Sequence, residues 1–172
     1  MLFKYMKSSD LFLLKLFNHS IKCKVLDITM PIITYLGSFS FSIVFCIVSL
    51  LYPNTSIRAM GIRACVSLPL VSIVCKLIKI SVNRLRPFLK IQNLNIKKIG
   101  IDPYSFPSGH TAAAFSIAMT LALSFSTFSI LFLVLAFLVG ISRMYIGVHY
   151  PSDVFFGIIL GSTCSWLVYL VL

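Results

Sequence analysis

Apolar residues in this chain come in runs too long for the strands or amphipathic helices of a water-facing domain. Residues 28–57 carry no charge, and the stretch 31–52 exceeds the roughly 20 residues that cross a bilayer as a helix, which predicts a first crossing. The next run, 61–82, is apolar through Cys75 and then carries Lys76 and Lys79. An ammonium deep in lipid costs at least about 2.5–3.5 kcal/mol, so these lysines are expected near an interface or facing a polar cavity. Residues 111–142 are 32 positions without a charge, about 48 Å as a straight helix against a hydrocarbon core of about 30 Å. Ser124, Ser126, Thr127 and Ser129 interrupt that run, so it reads as a hairpin of 108–124 and 128–145. The 19 uncharged residues 154–172 supply a last crossing. The pattern predicts an all-α integral-membrane bundle of about five transmembrane helices.

Residues 1–30 behave differently. Lys15 interrupts the apolar run 11–17, which suits neither a signal-peptide core nor a full span. On a helix, Lys15, Asn18, His19 and Lys22 form one polar stripe opposite Leu13, Leu14, Leu16, Phe17 and Ile21. This is the pattern of an interfacial amphipathic helix over 8–24, with Ser9 or Asp10 as its cap. The chain therefore divides into a basic interfacial segment, 1–30, and a membrane-embedded domain, 31–172.

Composition agrees: 59% of the 172 residues are hydrophobic and 11% charged, against roughly 45–50% and 25% in an average globular protein. Fifteen Lys and Arg face four acids, Asp10, Asp27, Asp102 and Asp153, for a net charge of +11. Such an excess suits anionic headgroups or phosphate substrates. Charge alone would also admit nucleic acid, but the basic residues adjoin membrane spans, and no nucleic-acid partner is expected. Five cysteines without CxxC spacing, four of them in apolar runs, point to packing rather than to disulfides or zinc.

Polar residues gather in two places, about 83–107 and 142–153, and the intervening hairpin returns both to one side of the membrane. Lys79 and Arg86, seven residues apart, are expected on one helical face, with Pro87 ending the segment. Pro107-Ser108-Gly109-His110 opens a helix whose free backbone N–H groups suit a phosphate, with Gly109 allowing close approach and Ser108 adding a hydroxyl. Arg143 closes the hairpin. Pro151 suits the first position of the last helix, and Asp153, the acid of this second cluster, can reach back to His149 and leave its other imidazole nitrogen free as a nucleophile.

Together Lys79-x6-Arg86-Pro87, Pro107-Ser108-Gly109-His110 and Ser142-Arg143-x5-His149-x3-Asp153 resemble the three-part signature of the type-2 phosphatidic acid phosphatase superfamily, which includes the vanadium haloperoxidases. The resemblance covers about 27–172. It implies that Lys79, Arg86 and Arg143 bind phosphoryl oxygens with help from Ser108 and Gly109. It further implies that His149 attacks phosphorus, that Asp153 orients it, and that His110 protonates the leaving oxygen and then helps activate water. No cofactor or metal is implied, in keeping with the few carboxylates. Leu85 stands where many relatives have a proline between two arginines, and the first of the six spans of well-known bacterial members is reduced here to the amphipathic segment.

The function expected is a membrane lipid phosphatase. The leading substrate is an isoprenoid diphosphate such as undecaprenyl diphosphate, followed by phosphatidic acid or phosphatidylglycerol phosphate. A non-enzymatic phospholipid-binding protein is the alternative, and the mostly transmembrane chain argues against the soluble haloperoxidase branch. Sidedness pulls two ways. Lys4, Lys7, Lys15, Lys22, Lys24, Arg84, Arg86, Lys90, Lys97, Lys98 and Arg143 fall on the active-site side, against Arg58 and Arg63 opposite, which the positive-inside rule reads as cytoplasmic. Several of these cations are accounted for by phosphate or lipid binding. Together with the resemblance, that favours an extracytoplasmic site in a bacterial plasma membrane.

Overall fold

The computed structural model describes residues 2–96 and 102–172, with side chains from Ser8 onward; Lys97, Lys98 and the side chains of Lys4 and Lys7 lie outside the described residues. Among the described residues, seven α-helices follow one another: α1 (Leu2–Lys15, continued by a π-helical turn Leu16–Ser20), α2 (Lys24–Tyr35), α3 (Phe39–Leu51), α4 (Thr55–Val82), α5 (Gly109–Ser124), α6 (Ser129–Tyr145) and α7 (Pro151–Val171). Among the described residues, strand-like pairing is limited to the isolated bridge between Leu85 and Tyr104. The all-α membrane bundle expected from the hydropathy pattern is therefore what forms.

Among the described residues, three segments are long and apolar enough to cross a membrane alone: Thr55–Val82, Ser126–Tyr145 and Pro151–Val171. The first expected crossing, 31–52, is not one rod. It is the pair α2 and α3, bent by 53° at the break between them. Ser38 enforces the break, its Oγ accepting a hydrogen bond from the backbone N–H of Phe41 at 3.1 Å to cap α3. Gly37 lets the bend pass close to α5, since a Cβ there would lie 2.4 Å from the carbonyl oxygen of His110. The hairpin of α5 and α6 has the expected bounds within a residue or two, and α5 has 16 residues, about 24 Å at 1.5 Å per residue.

Helix α5 is the hub. It packs against α4, α6 and α7, with Ser67, Ser116 and Ser165 from α4, α5 and α7 meeting in a buried hydroxyl chain. Ser116 Oγ lies 3.1 Å from Ser67 Oγ and 2.7 Å from Ser165 Oγ. Such bonds hold helices together where lipid offers no competing partner. At the α5–α7 seam a Cβ on Gly161 would sit 2.2 Å from the carbonyl oxygen of Ala112, so the two backbones meet at a distance that excludes larger residues.

Two boundaries differ from the sequence expectation in ways that matter for the site. Helix α4 starts at Thr55, capped by Asn54 Oδ1, which accepts from the N–H of Ser56 at 2.9 Å and of Ile57 at 3.2 Å. It ends at Val82, with Asn83 in the left-handed region (φ 50°), before Arg86-Pro87 is reached. Helix α1 begins at Leu2, so neither Ser9 nor Asp10 is its cap. The expected polar stripe is also divided. Lys15, His19 and Lys22 are exposed, but Asn18 is buried, donating from Nδ2 to the carbonyls of Asn95 (3.0 Å) and Tyr145 (2.7 Å). With Leu14 packed among Leu94, Met144, Tyr150 and Val154, the segment is docked on the bundle at the end where the polar loops lie.

Candidate active site

The loop after α4 leaves and returns in extended backbone. Arg86 N–H donates to the Pro103 carbonyl at 3.2 Å, Ser105 N–H donates to the Arg84 carbonyl at 2.7 Å, and Leu85 bridges Tyr104. Alternation along an extended segment sends residues two apart to one face. Leu85 accordingly points outward, while Arg84 and Arg86 both turn toward the start of α7. This alternation, not a shared helical face with Lys79, is what brings Arg86 to the site.

Arg86 is buried and anchored on several sides. Its Nε donates to the Asp102 carbonyl at 2.6 Å and its Nη1 to the Val148 carbonyl at 3.2 Å. The same Nη1 lies 3.2 Å from His149 Nε2. A guanidinium has no acceptor, so Nε2 presents its lone pair and the imidazole proton is on Nδ1. That Nδ1 faces Asp153 Oδ2 at 3.5 Å, an ion-pair distance at which no hydrogen bond forms, so the expected reach of Asp153 to the ring is looser than a direct bond. Burial, then Arg143, Arg86 and Lys79, push His149 well below the ordinary imidazole value. This shift favours the neutral imidazole, the form that can act as a nucleophile.

Asp153 is itself fully buried and held elsewhere. Oδ2 accepts the Tyr150 backbone N–H at 2.8 Å, closing the first turn of α7, and Oδ1 accepts from Arg84 Nη1 at 2.7 Å. Its carbonyl accepts the Ser108 N–H at 3.0 Å, tying the start of α7 to the start of α5. Ser108 caps α5, its Oγ accepting from Thr111 Oγ1 at 2.9 Å, and Gly109 and His110 form the opening turn. Arg143, near the end of α6, is 1% exposed; Nη1 donates to Thr34 Oγ1 at 2.9 Å while Nε has no partner. An unpartnered guanidinium nitrogen in a buried site suits an anion. The electrostatic neighbours of His110 are Arg143, His149, Arg86 and Lys79. The residues singled out from sequence thus converge at one end of the bundle.

Lys79 is occupied. Its ammonium pairs with the Asp102 carboxylate and donates to the Tyr104 carbonyl at 3.3 Å, and Asp102 Oδ2 also lies 3.3 Å from Arg86 Nη2. Burial opposes ionisation of Asp102, but Lys79 and Arg86 outweigh it and hold the carboxyl below the usual range. For Arg86, burial weakens the hold on its proton and Asp102 counters it. The sequence pattern centres on Asp153, gives Asp102 no role in the site, offers Asp10 only as a helix cap and counts Arg84 only among the cations of the active-site side. The signal was present in scarcity: three of the chain's four acids stand in the shell of this site. Among the described residues, no group of three His, Cys, Asp or Glu side chains is placed to hold a metal ion.

From Lys79 and His110 a groove of about 1120 Å³ runs down between α3, α4 and α5, lined by apolar side chains such as Phe39, Ile43, Ile47 and Ile73. Cationic head and apolar trough are thus continuous.

Comparison with known proteins gives the same picture. The chain is 35% identical over 142 residues to the bacitracin transport permease protein BcrC of Bacillus licheniformis, covering 81% of this chain and 70% of that one. It is 35% identical over 111 residues to an undecaprenyl-diphosphatase of Sulfolobus acidocaldarius, 64% of this chain and 54% of the relative. Among solved structures, Aquifex aeolicus LpxE superposes with a TM-score of 0.81 at 28% identity, covering 93% of this chain and 94% of that one. A PAP2-type phosphatidylglycerolphosphate phosphatase from Bacillus subtilis gives 0.75 at 27% identity, covering 97% and 86%. Residues 60–172, the stretch that carries all three motifs, match the family model of the PAP2 superfamily, and the chain belongs to that superfamily.

Proposed function

We propose that this membrane lipid phosphatase works through a phosphohistidine on His149. The reading rests above all on the contact of Arg86 Nη1 with His149 Nε2 at 3.2 Å, which aims the imidazole lone pair into the cation pocket. The phosphoryl oxygens are held by Arg86, Arg143, Lys79 and the N–H groups at the start of α5. Nε2 attacks phosphorus in line, the bond from phosphorus to the lipid oxygen breaks, and His110 gives that oxygen its proton. Water then attacks the phosphohistidine, losing a proton to His110, and phosphate leaves with His149 restored. Metal-independent turnover is expected, because three cations and a helix N-terminus already neutralise the equatorial oxygens.

The substrate we favour is an isoprenoid diphosphate such as undecaprenyl diphosphate, cleaved to the monophosphate and inorganic phosphate. The named activity of the Sulfolobus relative supports it, and the apolar groove beside His110 suits a long chain. Phosphatidylglycerol phosphate is the second reading, supported by the Bacillus subtilis structure, which covers nearly all of this chain; phosphatidic acid follows on general chemistry. Phosphate release by purified protein in detergent from these three lipids decides between them. Acid-labile phosphate trapped on wild type and absent from His149→Ala supports the mechanism; trapped phosphate on His149→Ala refutes it.

We further propose that the site faces outward from a bacterial plasma membrane. Asp10 accepts the Ser152 N–H at 2.9 Å, so α1 lies at the active-site end, and its lysines need not mark a cytoplasmic face. A Gln92→Cys variant lacking the five native cysteines is expected to react with a membrane-impermeant thiol reagent in intact cells. Reaction confined to broken cells reverses the assignment.

A further inference from the structure

Arg84 lies outside the phosphate-binding set, yet it is among the most heavily engaged side chains in the described structure. Nη1 donates to Asp153 Oδ1 at 2.7 Å and to Ser152 Oγ at 2.6 Å, Nη2 pairs with Asp10 Oδ2 at 2.7 Å, and the guanidinium lies 3.9 Å above the Tyr150 ring. Asp10 is buried as well. Its Oδ1 accepts the Ser152 backbone N–H at 2.9 Å and its Oδ2 accepts the Ser152 hydroxyl at 2.6 Å. A carboxylate from α1 thus caps, from outside, the first turn of α7, where free N–H groups attract negative charge. These partners fix the two Asp153 oxygens differently: Oδ1 accepts from Arg84, and Oδ2 accepts the Tyr150 N–H and lies toward Nδ1 of His149.

Because the His149 contact is 3.5 Å and unassisted by a hydrogen bond, the orientation of the ring, set also by Arg86 at Nε2 and the nearby Ser105 backbone, is sensitive to where that carboxylate is held. We propose that Arg84 is a positioning residue for the reaction, gripping Asp153 so that Oδ2 faces His149, and that Asp10 of α1 holds Arg84 and the α7 start in register. This rests on the reading of His149 as nucleophile. It assigns the docked N-terminal helix a part in turnover, carried by a chain of ionic contacts from Asp10 to Asp153. Arg84 touches no phosphate in this scheme; its neighbour Arg86 does.

A double-mutant cycle tests the coupling, with farnesyl diphosphate in detergent as probe and inorganic phosphate as competitive inhibitor. Arg84→Gln is expected to lower kcat about tenfold or more, with KM and the phosphate inhibition constant within about threefold. Arg84→Lys, which keeps charge and one arm, recovers part of the loss, and Asp10→Asn lowers kcat by a smaller factor without moving KM. In an Asp153→Asn background, Arg84→Gln is expected to cost no more than about twofold, because Arg84 acts through the carboxylate already lost. Fully multiplicative losses overturn the proposal. So does a rise in KM and in the phosphate inhibition constant at constant kcat, which makes Arg84 a phosphate ligand, and so does unaltered turnover in all the Arg84 and Asp10 variants. Should Arg84→Gln fail to fold, Arg84→Lys and Asp10→Asn carry the same kcat and KM test. Failure of the phosphohistidine reading shows elsewhere, as trapped phosphate on His149→Ala.

Discussion

The two sides of α5 follow opposite rules. Toward α7 the helices close on glycine, alanine and serine, with backbone against backbone at Gly161 and a buried hydroxyl pair between Ser116 and Ser165. Beyond the Ser67–Ser116 contact that ties in α4, the surface toward α3 opens into the apolar groove, and α3 exposes large side chains, Phe39 at 78% and Ile47 at 52%. Small residues let helices approach closely where lipid provides no driving force for association, so the seam fixes relative position tightly. The residues proposed for chemistry hang from that seam: Ser108, Gly109 and His110 at the start of α5, Asp153 at the start of α7, and His149 just before it. The groove holds bulky, loosely neighboured groups, as suits a trough for an irregular chain. Accuracy is built where the proposed chemistry lies, and tolerance in the groove proposed for a tail.

The largest effect is expected at the seam itself. Gly161→Leu would drive a side chain into the Ala112 carbonyl, and overpacking of this kind costs typically about 1–3 kcal/mol and more where backbone must move. The variant is expected to lose monodisperse protein in detergent, as size-exclusion chromatography would show. A well-folded Gly161→Leu protein would mean that the seam is not the rigid half.

Next comes the cation carried by α6. Arg143 is fully buried with one guanidinium nitrogen unpartnered, so Arg143→Ala removes the charge proposed to hold the anion, and relief of that buried, incompletely paired cation offsets the lost bond to Thr34. Turnover is expected to fall about 100-fold or more, a usual size for loss of one preorganised electrostatic group. Melting in detergent is expected to change little. A fall in melting temperature with normal turnover of the surviving protein would reassign Arg143 to structure.

Asp102 sharpens the comparison, because it sits where groove meets cations and already occupies Lys79 and Arg86. In the proposed binding mode a substrate phosphate displaces it. Asp102→Asn is therefore expected to tighten inhibition by inorganic phosphate about threefold, with a matching fall in KM, the scale of a partly exposed ion pair. Since its carboxyl is held below the usual range, wild type keeps this competitor ionised through neutral and mildly acidic pH and loses it as pH falls through that depressed value. Weaker phosphate inhibition in the Asn variant would show that Asp102 assists binding instead.

How much of this could be read from the sequence follows the same division. Helix class, the α5–α6 hairpin and the convergence of the polar clusters were legible, because charge-free runs and helix-opening residues act locally; the helix count was not, since about five spans were expected and seven α-helices form among the described residues. The bend between α2 and α3 was not: the Ser38 cap that breaks the helix is one serine among several in an apolar run, and the room for the bend comes from Gly37 against the distant His110 carbonyl. The route of Arg86 was misread for a related reason. Spacing by seven suggested a helical face, but Asn83 ends the helix in a left-handed turn, and the extended bridge between Leu85 and Tyr104 makes the placement. Asp10 and Arg84 were invisible as partners because 74 residues separate them, and no periodicity reports a contact of that range.

The smallest effect is expected in the groove, and it separates head recognition from tail recognition. Ile47 on α3 lines the groove and is half exposed, so adding bulk there meets open space rather than packed backbone. Ile47→Trp is expected to leave melting in detergent almost unchanged, as surface substitutions away from packed features usually stay within about 0.5 kcal/mol. Filling the trough discriminates among chains by what each buries, and one or two methylenes in an apolar pocket are worth about 1–3 kcal/mol at most. The ratio of kcat/KM for a long isoprenoid diphosphate over farnesyl diphosphate is accordingly expected to fall severalfold, while the inhibition constant for inorganic phosphate stays fixed, since that anion has no tail. A changed phosphate inhibition constant would show that the groove and the cation pocket are mechanically coupled. An unchanged ratio would place the lipid chain outside the α3–α4 groove altogether, leaving the contrast between the two sides of α5 a matter of packing alone.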